Sequence, residues 1–564
     1  MGLSQDWGDR LVPHPPEAVE RYREAGFWGE RTIAGELRAV AERFPERPAV
    51  IAPDGRLTFA ELDREADRVA AGLYGLGLTP GERVLFQLGN TVDTALAWYG
   101  TLKAGLIPVC TLMQHRGHEM TEIGRQSEAA AHIVQADHAR TDLVAFGRRI
   151  ADGSSTLREL ITVGAAVEEP GTHRLETLGA DVDANSAQSV VNVIQGITDP
   201  DDVAVFQLSG GTTSVPKIIP RMHAEYWYNA RGYADFWGWD GSERVAHLLP
   251  LIHNAGIVCG LHAPHSVGAC ALVGIPDPAV AAPLLADNRV TDVMLNLTLA
   301  DLAFANPELR AALDTVERLV FTGSQLPEAV AEAYEGQGRT VVQLFGMGEG
   351  LFTMTPTSAP PAMRHHSVGV PLSALDEARI CDPDSGDRLP LGEVGELQAR
   401  GPYTLHGYFD AADRNVEAFT ADGFYRTGDV AVEREVDGVR CFAIEGRLKD
   451  VISRGGEKVN VEEVELLMLD HPRIRLAAVV AMPDPRLGER ACAYAVLEDD
   501  GDAMDLTELV AFFDAREVAK FKWPERLEVV EDLPRTNIGK LDKTALREDI
   551  AAKLAREGDG VPAP

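Results

Sequence analysis

The residues best suited to chemistry form a short loop of glycine, serine and threonine that ends on a lysine. The loop spans residues 209–217, SGGTTSVPK, and directly follows the apolar run 203–208, VAVFQL. Glycines let backbone N–H groups approach an anion closely, hydroxyl groups add donors, and the lysine adds positive charge. A flexible Ser/Gly/Thr linker is the alternative, and the loop does not have the Walker A spacing. Because a buried-type strand precedes it, we interpret 209–217 as an anion-binding loop.

The elements that must position this loop alternate between strands and helices. Helical patterns occupy 58–75 and 91–104, and Thr58 with Glu61 three residues later is the signature of a capping box. Apolar runs typical of buried strands lie at 48–51, 83–88, 107–110, 202–208, 244–251, 292–296, 318–322 and 341–345. Strands that alternate with helices predict parallel α/β sheets.

After about residue 375 the sequence changes to shorter strands and turns. Asp382, Asp384 and Asp387 surround Gly386 and superficially resemble a calcium loop, but the spacing does not fit an EF-hand, and a hairpin turn is favoured. A second alternation predicts a small α/β domain, with elements at 461–471, 476–482, 491–497 and 506–517. The tail 555–564, AREGDGVPAP, is predicted to be mobile.

Bulk composition excludes several classes of protein. A chain of 564 residues is too long for one core, so at least two domains are expected. The net charge of −34 is spread along the chain and argues against nucleic-acid or anionic-membrane partners. The 6 cysteines form no C-x-x-C pair, which suits a reducing compartment. With neither a signal-peptide pattern nor a membrane-length apolar run, the sequence predicts a cytoplasmic protein.

Six segments in a fixed order resemble the adenylate-forming superfamily, which includes acyl-CoA synthetases, nonribosomal-peptide adenylation domains and luciferases. The loop 209–217 resembles the phosphate-binding loop of that superfamily. The other segments are 102–105 (LKAG), 345–350 (FGMGEG), 424–429 (FYRTGD), 445–458 (EGRLKDVISRGGEK) and 534–540 (PRTNIGK). The similarity covers residues 30–550, approximately, and implies activation of a carboxylic acid by ATP to give an acyl-adenylate.

The resemblance also implies a fold. It is α/β, with a large N-terminal domain, 1–447, of parallel α/β sheets and a small β-barrel-like part. A small mobile α+β domain, 448–564, follows and carries the catalytic lysine. Lys449 resembles the hinge between the two, where relatives pivot between adenylate formation and attack by a thiol.

Roles in ATP binding follow residue by residue from the resemblance. The ATP-binding set is Ser209, Gly210, Gly211, Thr212, Thr213, Gly323, Gly346, Met347, Asp429, Arg447 and Lys540, and Thr212, Lys217, Glu349 and Lys540 are the catalytic set. Asp429 resembles the carboxylate that holds the ribose hydroxyls, although an exposed turn aspartate is the ordinary alternative. Glu349 would bind Mg²⁺. Lys540 would bridge the acid carboxylate and the α-phosphate, although a lone lysine is otherwise a surface charge.

The segment 248–254, LLPLIHN, resembles the aryl-acid branch, whose members activate salicylate or 2,3-dihydroxybenzoate. The implied acid-binding set is His253, Asn254, Cys259, Gly323, Gly348 and Phe352. Asn254 would hydrogen-bond the ortho substituent, with a turn-forming role beside Gly256 as the alternative. Catechol-type members tend to have Ser at position 259 and Val at 352, so Cys259 and Phe352 favour a salicylate-like acid. Gly348 also replaces a Thr found in many relatives.

The thiol acceptor must be separate, because the chain contains no G-G-x-S carrier motif after Lys540. An aryl or peptidyl carrier protein, in siderophore or other natural-product biosynthesis, is the preferred prediction, and coenzyme A is the alternative. A catalytically silent scaffold is the alternative from another class. The sequence is compatible with a monomer or a homodimer.

Overall fold

The predicted alternation of strands and helices takes the form of extended mixed sheets covered by helices. The computed structural model of the chain describes residues 6–138, 141–209, 216–323, 326–454, 457–484, 487–498, 504–516, 518, 520–535 and 541–558. These residues divide into two compact units. The large unit contains the described residues up to Ala378 together with Ala399–Tyr425, and the small unit contains Arg379–Gln398 and the described residues from Arg426 onwards.

The bounds of the elements are as follows. The strands are β1 Pro48–Ala52, β2 Gly55–Thr58, β3 Arg83–Gln87, β4 Ile107–Val109, β5 Ala129–Gln135, β6 Glu159–Val163, β7 His173–Arg174, β8 Val203–Leu208, β9 Ile218–Met222, β10 Arg244–His247, β11 Cys270–Val273, β12 Asp292–Leu295, β13 Arg318–Thr322, β14 Thr340–Met347, β15 Gly350–Met354, β16 Val370–Pro371, β17 Glu377–Cys381, β18 Val394–Arg400, β19 Tyr425–Val436, β20 Val439–Arg447, β21 Val451–Arg454, β22 Glu457–Asn460, β23 Ile474–Asp484, β24 Gly488–Leu497 and β25 Arg526–Val529.

The α-helices are α1 Pro16–Glu24, α2 Ile33–Arg43, α3 Phe59–Gly75, α4 Val92–Lys103, α5 Gly117–Ser127, α6 Leu143–Asp152, α7 Ala184–Gln195, α8 His223–Trp237, α9 Ala263–Val267, α10 Pro278–Asp287, α11 Leu297–Ala305, α12 Pro307–Leu313, α13 Glu328–Glu335, α14 Pro361–His366, α15 Ala412–Ala418, α16 Val461–Leu469, α17 Leu506–Ala515 and α18 Lys543–Gly558. Short 3₁₀ helices lie at Gly8–Arg10, Leu175–Thr177, Leu448–Asp450 and Lys520–Lys522, and a π-helix spans Gly256–His262.

Two sheets form the framework of the large unit. Among the described residues, one sheet has nine strands in the order β16-β15-β14-β13-β12-β10-β11-β1-β2, and the other has seven in the order β7-β6-β5-β3-β4-β8-β9. The inner neighbours run parallel, as β10 does beside β11 and β12, whereas β2, β9, β15 and β16 pair antiparallel at the edges. The prediction of parallel α/β sheets is therefore confirmed, and the antiparallel edge strands add to it.

The start of α3 confirms a local prediction. The Thr58 hydroxyl accepts a hydrogen bond from the Glu61 N–H (3.3 Å), and the Glu61 carboxylate accepts one from the Thr58 N–H (2.8 Å). Each side chain satisfies a backbone donor that has no partner within the helix, so the helix has a defined first residue.

The strand predicted over 244–251 is shorter in the structure than the apolar run from which it was predicted. It ends at His247, and the chain then turns through Pro250 into the helix that contains the π-helical segment. Beyond this end, the Asn90 side-chain amide forms the hydrogen bonds that a neighbouring strand would otherwise supply. It donates to the Leu249 carbonyl (2.7 Å) and accepts from the Leu251 N–H (2.8 Å). A side chain about 160 residues earlier in the chain thus satisfies backbone groups just beyond the end of the strand, which a local apolar pattern cannot predict.

Most of the small unit's first part forms a four-stranded sheet in the order β17-β18-β19-β20, in the region where the sequence changes to shorter strands and turns. The turn after Cys381 is a hairpin turn as predicted, because the Asp382 carboxylate accepts from the N–H groups of Asp384 (3.0 Å) and Ser385 (2.7 Å). A second sheet has the order β22-β21-β24-β23, with β25 paired to β24.

The C-terminal prediction needs a correction. Helix α18 continues to Gly558, four residues into the segment predicted to be mobile, and Glu557 receives two 2.8 Å hydrogen bonds from Arg526. This bidentate pair joins the end of the helix to β25. No described helix is both long and apolar enough to cross a membrane.

Candidate active site

The predicted anion-binding loop connects two paired strands. Strands β8 and β9 are antiparallel neighbours, and beyond their last pair the Ser209 N–H donates to the Lys217 carbonyl (2.9 Å). In return the Lys217 N–H donates to the Ser209 hydroxyl (3.0 Å). Gly210, Gly211, Thr212 and Thr213 lie outside the described residues. The two ends of the loop, Ser209 and Lys217, are thus held together by a pair of hydrogen bonds.

Lys217 lies beside a tyrosine that the sequence analysis did not select. Its ammonium nitrogen is 4.5 Å from the centroid of the Tyr408 ring. The Tyr408 hydroxyl donates to the Glu349 carboxylate (2.7 Å) and is 2.8 Å from the Tyr425 hydroxyl. Burial, followed by the charge of Glu349, raises the pKa of Tyr408, so its hydroxyl stays protonated and can donate. Tyr408 therefore connects two predicted catalytic residues, Lys217 and Glu349.

Glu349 occupies the turn between β14 and β15, and buried groups hold this turn. The Arg221 guanidinium donates to the Gly348 carbonyl (2.8 Å), and the Leu405 N–H donates to the Glu349 carbonyl (2.8 Å). Arg221 is itself fully buried and forms a fork with the two carboxylate oxygens of Glu225, at 2.8 Å each. Such a bidentate pair fixes the orientation of the guanidinium as well as its charge.

The glycines of this turn leave little room for side chains. A Cβ added at Gly348 would lie 2.9 Å from the end of the Ile219 side chain, and one at Gly346 would lie 2.7 Å from the Phe352 ring. Both distances are shorter than ordinary van der Waals contact. At position 348 the near atom is the end of the flexible Ile219 side chain on β9, which would have to shift to admit a larger residue.

Asn254 is buried at the start of the helix that follows the 248–254 segment. Its amide oxygen accepts a hydrogen bond from the Tyr226 hydroxyl (3.0 Å), and its amide nitrogen donates to the Met347 carbonyl (3.4 Å). The Tyr226 hydroxyl in turn accepts from Gln207 (3.0 Å). An amide has two N–H groups and two lone pairs on its oxygen. One of each therefore remains available, which exceeds what a turn-forming residue needs.

The other predicted acid-binding residues differ in exposure. Cys259 lies on the π-helix and Phe352 on β15, and both are buried in the same core cluster. Burial raises the pKa of the Cys259 thiol, which therefore stays neutral. His253 is exposed beside Asn254, and Gly323 is exposed at the end of β13 with a φ of +89°. A π-helix is rare and often marks a functional site.

Two predicted ATP residues meet within the small unit. Asp429 on β19 is the register partner of Arg447 on β20, and the Arg447 Nε lies 2.5 Å from a carboxylate oxygen of Asp429. Asp429 is 3% exposed, so the alternative of an exposed turn aspartate is wrong. Lys449 lies in the 3₁₀ helix that directly follows β20, and Lys540 lies outside the described residues.

The described residues contain no group of three or more His, Cys, Asp or Glu side chains that could enclose a metal ion. Glu349 is half-buried, and Tyr408 occupies one of its carboxylate oxygens. Mg²⁺ commonly takes only one or two carboxylates, with waters and substrate phosphates completing its shell. A single carboxylate beside an anion-binding loop fits that donor set.

Comparison with known sequences matches both units to one family. Residues 37–409 match the description "AMP-binding enzyme", and residues 463–540 match "AMP-binding enzyme C-terminal domain". A salicylyl-CoA synthase / salicylate adenylyltransferase from a Streptomyces species is 37% identical over 96% of this chain and 98% of its own length. A salicyl-AMP ligase / salicyl-S-ArCP synthetase from Mycobacterium tuberculosis is 38% identical over 95% and 94%.

Comparison with solved structures gives a similar result. The apo structure of MbtA from Mycobacterium smegmatis has 36% sequence identity and a TM-score of 0.70, and the alignment covers 96% of this chain and 99% of that one. The agreement extends over nearly the whole of both chains.

Proposed function

Because this chain belongs to the AMP-binding enzyme family, we propose that it uses ATP to activate a small ortho-substituted aromatic acid. The family assignment confirms the predicted resemblance to adenylate-forming enzymes, and the chain is therefore an enzyme of the ligase class. In the proposed reaction a carboxylate oxygen attacks the α-phosphorus of ATP, and pyrophosphate leaves. The product is an aryl-adenylate.

The observation that carries the proposed substrate is the hydrogen bonding of Asn254. Its amide is buried, is oriented by Tyr226 and Met347, and retains one donor and one acceptor. Such a group can read a hydroxyl or amino substituent, and an aliphatic or unsubstituted acid would leave it unpaired. The names of relatives 37% and 38% identical to this chain, which refer to salicylate, support a salicylate-like acid.

On the nucleotide side, we assign phosphate binding to residues 209–213 and Lys217. Lys217 adds charge close to the loop, and Tyr408 limits where its ammonium can lie. Asp429 would accept hydrogen bonds from the ribose hydroxyls, with Arg447 beside it. Lys540 would stabilise the charge that develops as the acid carboxylate approaches the α-phosphate.

Glu349 is the residue proposed to hold Mg²⁺. The ion would offset the charge of the ATP phosphates when bound. Tyr408 donates to one oxygen of Glu349, which orients the carboxylate and leaves its other oxygen for the ion. Arg221 and Leu405 hold the surrounding backbone, so the carboxylate is placed before any ligand arrives.

The acid side would be lined by Cys259, Phe352, Gly348, Gly323 and His253 around Asn254. Cys259 is a weaker hydrogen-bond partner than Ser, and the Phe352 ring takes up space. These two properties favour salicylate or a salicylate-like ring over 2,3-dihydroxybenzoate.

In the second half-reaction a thiol would attack the adenylate carbonyl, with AMP as the leaving group. We propose a carrier protein as the acceptor, in siderophore or other natural-product biosynthesis, with coenzyme A as the alternative. The names of the two relatives include one thioester of each kind. Lys449 is the proposed pivot, with the boundary between domains at 447/448, and a cytoplasmic location remains a prediction.

Acid-dependent exchange of radiolabelled pyrophosphate into ATP tests the proposed function. We expect exchange with salicylate and related ortho-substituted acids, weaker exchange with benzoate, and none with acetate or other aliphatic acids. Exchange that depends equally on aliphatic acids would contradict the proposal. Incubation of the purified enzyme with salicylate, ATP and either coenzyme A or a holo carrier protein then distinguishes the two acceptors.

A further inference from the structure

A buried carboxyl group outside the sites described above belongs to Asp376, in the loop between β16 and β17. Its Oδ2 accepts hydrogen bonds from the Tyr403 hydroxyl (2.5 Å) and from the Ser373 N–H (3.1 Å). Its Oδ1 is buried and has no hydrogen-bond partner among the described residues. Burial raises the pKa of Asp376 to about 7, although the bonds from Tyr403 and Ser373 act in the opposite direction. A carboxyl group in these surroundings opposes folding, so packing alone does not explain an aspartate at this position.

Tyr403 connects this carboxyl group to Phe352, one of the residues proposed to line the acid pocket. The Tyr403 side chain is buried, and its ring meets the Phe352 ring edge-on, with 6.4 Å between the centroids and 76° between the planes. The Phe352 N–H also approaches the Tyr403 hydroxyl. One hydroxyl group therefore lies between Asp376 and the strand that carries Phe352.

The backbone of Tyr403 is held independently of its hydroxyl. The Arg221 guanidinium donates to the Tyr403 carbonyl (3.3 Å). Two residues earlier, a Cβ at Gly401 would overlap Oδ1 of Asp376, so the backbone there lies directly against the carboxyl group. Because the backbone is fixed, the hydrogen bond to Asp376 determines how the Tyr403 ring is oriented.

Phe352 has little free space of its own. It is 1% exposed, and a Cβ at Gly346 would lie 2.7 Å from its ring. A reorientation of the Tyr403 ring would therefore change the space in which the Phe352 ring lies, since closely packed rings cannot move separately.

We propose that Asp376 is a positioning residue for the choice of acid. It orients the Tyr403 ring, and that ring confines Phe352, which occupies volume that a ring with a further substituent would need. The inference rests on the proposed function and assigns to it a residue that acts through Tyr403. The competing explanation is that Asp376 only stabilises its own loop through the Ser373 N–H, in which case its loss would lower stability without changing the preference among acids.

The preference is measured as kcat/KM for salicylate divided by kcat/KM for 2,3-dihydroxybenzoate or 3-methylsalicylate, in acid-dependent pyrophosphate exchange. Urea denaturation of the same preparations gives their stability. Asp376→Ala removes the acceptor of the Tyr403 hydroxyl and should lower both ratios by about 3- to 10-fold, the scale of one hydrogen bond. Both derivatives should gain, because the effect is one of space. Asp376→Asn keeps an acceptor oxygen and should keep ratios close to those of the wild type.

The variant Tyr403→Phe tests the connection itself, since it removes only the hydroxyl. It should lower the ratios as Asp376→Ala does, and the double variant should lower them no further, because both changes break one contact. Tyr494→Phe is the matched control: Tyr494 is also buried, and its hydroxyl donates to the Asp549 carboxylate (2.7 Å) within the small unit. The control should keep the wild-type ratios.

The possible outcomes separate the inference from the proposed function. If no aromatic acid supports exchange in the wild-type enzyme, the proposed function is wrong. If salicylate is active and Tyr403→Phe keeps the wild-type ratios, the inference is wrong, whether or not Asp376→Ala folds. Ratios that fall equally in Tyr494→Phe, or that fall in the double variant by the product of the two single effects, also overturn it.

Discussion

Two groups of residues in the large unit, one charged and one neutral, contact the turn between β14 and β15 and stabilise it by different interactions. The charged side consists of Lys217, Arg221, Glu225, Glu349 and Tyr408. The neutral side consists of Gln207, Tyr226, Asn254, Cys259 and Phe352. Asn254 donates to the Met347 carbonyl, and Arg221 donates to the carbonyl of the next residue, Gly348. The turn that carries Glu349 is thus fixed from both sides at consecutive peptide groups.

The two sides differ in what they can recognise. Each charge on the charged side has a partner or an aromatic face, because an unpaired charge inside a protein is strongly unfavourable. The neutral side instead contains uncharged donors and acceptors in a chain, with capacity left over at Asn254. The charged side suits the binding of a polyanion, and the neutral side suits the binding of a phenol or an amine. The comparison indicates that substitutions on the charged side should alter nucleotide binding, and that substitutions on the neutral side should alter the choice of acid.

The largest expected effect comes from breaking the buried pair of the charged side. Arg221→Met leaves the Glu225 carboxylate buried without its partner, and we expect the free energy of unfolding to fall by about 3–5 kcal/mol. The double variant Arg221→Met with Glu225→Gln should recover part of this loss, because it leaves no unpaired charge. Urea denaturation measures both. If the double variant is no more stable than the single one, the pairing is not the source of the loss.

The next effect concerns the lysine proposed to act on the α-phosphate. Lys540→Ala should lower acid-dependent pyrophosphate exchange by at least ~10²-fold, the scale of losing one electrostatic stabiliser. Attack of a thiol on chemically supplied aryl-adenylate should continue. Lys553→Ala is the control, because Lys553 forms ion pairs on the surface of α18 that contribute little. Equal loss in both half-reactions would contradict the proposed role.

On the neutral side, Asn254→Leu should discriminate between acids. Salicylate loses a partner for its ortho hydroxyl, which costs about 1–3 kcal/mol of transition-state binding, whereas benzoate never formed that bond. Tyr226→Phe should cause a smaller loss in the same direction, because it only releases the amide that Tyr226 orients. The measurement is kcat/KM for both acids. A loss for benzoate as large as that for salicylate would mean that Asn254 supports the pocket and does not read the ortho group.

The smallest effect is a change of preference within the neutral side. Cys259→Ser with Phe352→Val provides a better hydroxyl partner and more space, so 2,3-dihydroxybenzoate should gain relative to salicylate by about 10-fold or somewhat more. The gain should appear in the ratio of kcat/KM values while the KM for ATP stays constant. A change in the KM for ATP of similar size would contradict the separation of the two sides.

The sequence predicted several inner strands of the large unit, among them β3, β10 and β13, and the ordered motifs, because both are local signals. It did not predict β9, which pairs antiparallel with β8 at the edge of the seven-stranded sheet. It also did not predict that the end of the Ile219 side chain on that strand would lie beside Gly348. Tyr408 ends the segment 401–408, GPYTLHGY, which carries no local sign of a role for this tyrosine.

By itself the sequence determined the type of chemistry, since a glycine-rich loop, a lysine and the spaced acidic motifs are properties of short segments. It also placed an asparagine side chain, that of Asn254, directly after the LLPLIH segment. Only the tertiary structure decided that Tyr408 reaches Glu349 across 59 residues, and that the His247 ring packs against Gly260. The reason is physical. Local pattern encodes strands and turns, whereas sheet order and helix packing determine which distant side chains share a desolvated space, and that space sets what each one can bind.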